Sequence, residues 1–294
     1  MTGPESGTAT DTASDAAAGP SRNPAIIGWI AVVIGCAAVA AWIRWSPLAI
    51  KLVPMPSMET AATAFYVILF APLIALAGLL GLVTRTRTFA PGHALAGWVP
   101  GALAIGLAGL LFAVATAWLN GGLLPDEGPP VAGGMIAVGL ALTLVQVGAE
   151  EVVFRGWLQA LLGALAGPWV GLLLASVLFA AMHLLGGELP PHALANVFLA
   201  GVLFGLLAQS SGGIVAPIAA HFGWNALEDL GFGLIPNPGV GPFGAIHNVQ
   251  IVGPTIWGGG TEGLNASIGT TIALVALILP LLALLRRRAI ATGI

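Results

Sequence analysis

Residues 131–164 read VAGGMIAVGLALTLVQVGAEEVVFRGWLQALLGA. The stretch is longer than the roughly 20 apolar residues a membrane-crossing helix needs, and it lacks the alternating polarity of a barrel strand. Yet it holds three charges close together, Glu150, Glu151 and Arg155. At the centre of a membrane helix each charge costs about 2.5–3.5 kcal/mol, so these side chains must face a bundle interior, and by default they mark a functional site. The length exceeds one simple crossing, which predicts either a tilt or an interfacial first turn.

The rest of the chain extends the same reading. It has 294 residues, 57% hydrophobic and only 7% charged, with a mean hydropathy of +0.98. A water-facing surface needs roughly 25% charged residues, so a soluble domain is excluded. Apolar segments near 25–43, 62–83, 97–119, 131–164, 167–185, 192–209, 213–231 and 267–285 predict an all-α, polytopic helical membrane protein with about eight transmembrane helices. The net charge is −3, with no basic patch, so nucleic acid is not an expected partner. Cys36 is the single cysteine, which rules out an intrachain disulfide.

Residues 1–24 are small and polar and read as a disordered tail. They lack the basic start and apolar core of a signal peptide. Residues 25–288 then form the membrane-embedded domain, with its motif core at 146–231, and 289–294 a short C-terminal tail. Arg85 and Arg87 follow the second span and Arg286, Arg287 and Arg288 the last, whereas 232–266 has no Lys or Arg. The positive-inside rule then puts both termini in the cytoplasm of a cell-membrane protein, against which only Arg44 and Lys51 stand. The loop 232–266 is long enough to be functional.

Glu151 and Arg155 are spaced i, i+4 and can pair, while Glu150 points about 100° away and is left outside that pair. A satisfied ion network that merely orients helices would explain all three charges equally well. VLFAAMHLL then sets His183 four residues after Phe179. Glu150 lies 17 residues before Gly167 and His183 16 after it, so a helical hairpin turning there puts both at one depth. In PIAAHFGWN, His221 and Asn225 share a helix face. Each alone could be helix–helix glue. Three polar pieces at compatible depth read as a site.

A carboxylate beside a histidine can deprotonate a water, and a second histidine with an amide can donate to an oxyanion. Alternatively Glu150, His183 and His221 could ligate a divalent metal such as zinc, as two His and one Glu do in open catalytic sites. Either version ends in water attacking an amide.

EEVVFR, FAAMH and HFGWN resemble, in order, the EExxxR, FxxxH and HxxxN motifs of the CPBP family, the CAAX prenyl protease 2 and lysostaphin-resistance-protein-like intramembrane endopeptidases. WGGGTEGLNAS also resembles a Gly-Glu-rich segment of some bacterial members. The resemblance implies that Glu150 activates water with His183, that His221 and Asn225 stabilise the tetrahedral intermediate or His221 joins a metal, and that Glu151, Arg155 and Phe179 support the site. It implies a metalloprotease or a metal-free glutamate mechanism alike. The substrate it implies is a membrane-associated or prenylated protein or peptide, met among membrane lipids. Two other classes compete: a proton-coupled transporter, since buried Glu, Arg and His also build relays, and a non-catalytic immunity or scaffold protein of the same fold. The transporter lacks support from any internal repeat or matching pair of interrupted helices.

Overall fold

The computed structural model describes residues 24–126, 133–234, 241–260 and 262–292. The expected N-terminal tail, apart from Pro24, lies outside the described residues, as do residues 293–294.

Helices account for nearly everything described. In chain order they are α1 (Pro24–Ile50), α2 (Met58–Thr84), α3 (Leu95–Leu119), α4 (Gly133–Glu151), α5 (Ala160–Ala166), α6 (Pro168–His183), α7 (Pro191–Ser211), α8 (Val215–Ala226) and α9 (Ile268–Thr292). A π-helical segment, Val152–Gln159, joins α4 to α5 in one rod, and a second, Leu227–Gly231, extends α8. Six rods are long and apolar enough to cross a membrane, as befits an all-α integral membrane protein. The other two, α6 and α8 with its extension, are shorter. Two three-residue strands, β1 (Leu123–Pro125) and β2 (Val249–Ile251), pair antiparallel with Leu123 opposite Ile251.

Local chemistry sets the helix ends. Ser57 caps α2, its hydroxyl accepting from the Thr60 N–H at 3.2 Å. Proline opens α6 and α7, where its missing N–H costs nothing. Gly212 closes α7 at φ +72°, a left-handed conformation that a side chain would resist. Two helices outrun their expected ends. α1 continues past residue 43 through Pro47, and Ser46 Oγ donates at 3.2 Å to the Ile43 carbonyl that the proline leaves without its helical donor. α9 continues through Arg286–Arg288 to Thr292, a stretch of Ala, Ile and Arg that suits a helix.

Two apolar clusters build the interior. One joins α1, α2, α4, the first π segment and α6, around Trp157, Tyr66 and Leu158. The other joins α3, α7, α8 and α9, around Leu110, Leu206 and Leu207. Leucines such as Leu79, Leu82, Leu144 and Leu279 point outward, as lipid contact requires.

Glycines set the approach of α8. A Cβ on Gly106 of α3 would collide with the Ala220 carbonyl, and one on Gly109 would lie 2.6 Å from the Trp224 ring. The backbones therefore meet closely, as small residues permit between membrane helices. That contact fixes the helix carrying His221 and Asn225.

Candidate active site

The motif residues converge at the seam between the two clusters. Glu150 and Glu151 end α4, Arg155 lies in the π segment, Phe179 and His183 are on α6, and His221 and Asn225 are on α8. The structure brings all of them except Glu151 and Arg155 into the lining of one cavity, and those two form its buried support.

The support is an ordered network. Arg155 Nη1 donates to Glu151 Oε1 at 3.0 Å, with both side chains essentially inaccessible. Its Nη2 donates to the Gly201 carbonyl of α7 at 3.1 Å, and its guanidinium lies 4.4 Å from the Phe179 ring centroid. One helical turn on, Gln159 Nε2 donates to the Gly205 carbonyl at 3.0 Å. Two side chains four residues apart thus reach two glycine carbonyls four residues apart, fastening the first π segment to α7. A buried pair of this kind is strong only while both members are present.

The same Glu151 oxygen takes a second donor. His221 Nδ1–H donates to Glu151 Oε1 at 2.9 Å, and the ring stacks on Phe204 with centroids 4.5 Å apart. An ionised carboxylate only accepts, so the bond assigns the proton to Nδ1 and turns Nε2 to the cavity. There it lies 3.8 Å from Glu150 Oε2. Glu150 therefore faces His221 most closely, where the sequence reading matched it by depth to His183. The hairpin argument aligned depth along two helices and carried no information about the third.

His183 stands at the mouth, exposed at the C-terminal end of α6. Its Nδ1–H donates to the Phe179 carbonyl at 2.8 Å, which leaves Nε2 as an acceptor while the ring is neutral. Phe179 also holds the ring edge-on at 4.8 Å. Asn225 is buried on the cavity wall one turn beyond His221. Glu150 receives a long contact of 3.4 Å from Gln146 Nε2 and keeps 14% of its side chain accessible, the open member of the glutamate pair.

The candidate metal ligands do not gather. Among the described residues no three His, Cys, Asp or Glu side chains are positioned to hold one ion. Glu150, His183 and His221 share a cavity without forming such a set.

Several lining residues lie outside the candidate set read from the sequence: Gln146, Asn196, Phe204, Glu228, Asn265 and Thr270. Gln146 is i−4 from Glu150 and Glu228 is i+3 from Asn225, so helical spacing could have found both. Asn196 donates to the carbonyls of Asn265 and Ser267 at 2.9 and 3.0 Å and accepts from Thr271 at 2.7 Å. It thereby draws the segment before α9 over the site. That segment belongs to the loop expected to be functional, and its Glu262 and Asn265 edge a groove leading away from Glu150 and His183. The groove is walled by apolar residues of α1, α2 and α6, among them Ile43, Leu69 and Met182.

Residues 132–227 match the model of the type II CAAX prenyl endopeptidase Rce1-like family. This segment is similar to that family. The match holds all three motifs that carried the CPBP resemblance. No curated protein and no solved structure matches the chain.

Proposed function

We propose that the chain is an intramembrane endopeptidase that hydrolyses a peptide bond of a membrane-associated or lipidated protein. One observation carries the reading: a mostly shielded glutamate, two oriented histidines and an asparagine surround a cavity that continues into an apolar groove. The Rce1-like match adds the expectation of a prenylated client.

In this mechanism Glu150 takes a proton from a water that also donates to His183 Nε2. The resulting hydroxide attacks the carbonyl carbon. The Asn225 amide donates to the developing oxyanion, as does His221 when it enters the cycle as the imidazolium, its Nε2 proton taken up from solvent beforehand. Glu151 holds the His221 ring in the required orientation, as the carboxylate of a catalytic triad does, and Arg155 holds Glu151. The proton on Glu150 passes to the departing nitrogen. Every step in this reading is carried by side chains of the chain itself. The apolar groove would take a lipid chain or apolar peptide segment. Both termini are proposed to be cytoplasmic, in a cell membrane, on the positions of the arginines.

N-terminal profiling of membrane proteomes from cells expressing wild-type protein or Glu150→Gln at matched levels tests the proposal. New N-termini that depend on Glu150 are expected and would name the clients. Identical fragment sets, with the variant still supporting any phenotype, would move the transporter or scaffold forward.

A further inference from the structure

The cavity around Glu150 has two arms of opposite character. The apolar groove is one. The other is the part of the same cavity walled by Trp224, Asn225, Glu228 and Thr270, none of which lines the groove. Gln146 and Glu150 border both arms.

This second arm holds two acceptors without donors. Glu228 is 1% exposed, and its Oε1 accepts no hydrogen bond among the described residues. Gln146 is 9% exposed; its Nε2 is turned toward Glu150, and its Oε1 likewise accepts nothing. A buried acceptor left unpaired costs about 1–3 kcal/mol, so an orphan that lines a cavity calls for a donor from within it. Glu228 sits in the second π segment, a local unwinding of the kind often found at functional sites. Both oxygens call for N–H or O–H donors.

We propose that Gln146 and Glu228 form a subsite for the amino group released by peptide hydrolysis. The inference rests on the peptidase reading. Water adds its oxygen to the carbonyl carbon, the C–N bond breaks, and the electron pair stays on nitrogen. That nitrogen takes the proton Glu150 removed from the water. The products are one carboxylate and one primary amine, which gains a further proton from solvent. Of these two, only the amine or its ammonium form carries the donors that Glu228 Oε1 and Gln146 Oε1 lack. The second arm therefore fixes which product lies on which side of Glu150.

The test is direct binding to the purified full-length chain in detergent, which requires no turnover. The probes are the tripeptide Ala-Leu-Ala and its N-acetylated form, titrated by calorimetry against wild type, Glu228→Gln and Gln146→Ala. The free amine should bind wild type about tenfold or more tightly than the acetylated peptide, because buried acceptors discriminate against a ligand missing its donor. The preference should fall to about twofold or less in Glu228→Gln with thermal stability kept. Should Glu228→Gln fail to fold, Gln146→Ala must show the reduced preference. Equal binding of the two peptides to wild type, no binding of either at millimolar concentration, or an undiminished preference in the folded variants would overturn the subsite. Failure of Glu150-dependent cleavage would strike the peptidase reading separately, since binding is measured without it.

Discussion

His221 Nδ1–H donates to the same oxygen of Glu151 that receives Arg155, at 2.9 and 3.0 Å respectively. One carboxylate oxygen therefore couples the orientation of a histidine on α8 to a cation on the first π segment. Its neighbour Glu150 sits at 3.8 Å from the other ring nitrogen and holds no comparable tie. Of the adjacent glutamates, one is tied into the buried network and the other is open to the cavity.

That division predicts two different failures. Glu151→Ala leaves Arg155 buried without its counter-charge, and breaking such a pair costs about 3–5 kcal/mol. A large drop in thermal stability in detergent should accompany loss of cleavage. Glu150→Gln should abolish cleavage while moving stability by less than about 1 kcal/mol, as for a partly open site. A Glu150→Gln protein that melts as early as Glu151→Ala would show that both glutamates are structural.

The close approach of α3 and α8 gives a second prediction. Gly106→Ala puts a methyl group into the Ala220 carbonyl and must push away the helix that carries His221 and Asn225. Overpacking of this kind costs about 1–3 kcal/mol, and a shifted α8 should lower kcat more than stability alone explains. Gly101→Ala on the same helix meets nothing within 4 Å and is the control. It should be neutral or up to about 1 kcal/mol more stable, since alanine is the better helix former. Equal melting and turnover for the two variants would contradict the glycine contact.

The helical class was legible because apolar run length alone decides it. The candidate site residues could be picked out because a charge or amide inside such a run is costly and stands out. Their partners were less so. Spacing of i, i+4 found the Glu151–Arg155 pair, but nothing local says that His221 meets Glu151 across 70 positions of sequence. The π segments were invisible, since Val152–Gln159 has no residue that forbids an ordinary α-helix. Asn196, Asn265 and Glu228 were passed over because each stands outside the three motifs, although all line the cavity.

Metal removal separates the two proposed chemistries. If Glu150 activates water unaided, dialysis against EDTA or phenanthroline should leave cleavage within about twofold of the untreated protein. Elemental analysis of the purified chain should find less than one equivalent of any divalent transition metal. Loss of activity restored by zinc alone would reverse the assignment and place Glu150, His183 and His221 around an ion.

The apolar groove yields the prediction that bears most on the substrate. Ile43, on α1, lines it together with Leu69 and Met182, and none of the three belongs to the proposed machinery. Ile43→Trp adds bulk to the wall while leaving Glu150, His183 and His221 untouched. If a lipid chain occupies the groove, the variant should raise KM for a lipidated reporter peptide about tenfold with kcat little changed, the signature of binding lost equally from ground and transition states. The same peptide without its lipid should be cleaved equally by wild type and variant. A uniform fall in kcat on both reporters would instead mean that α1 supports the fold of the site. A variant that behaves as wild type on both would leave the groove without a part in substrate binding, and the search for clients would then turn to unlipidated membrane segments.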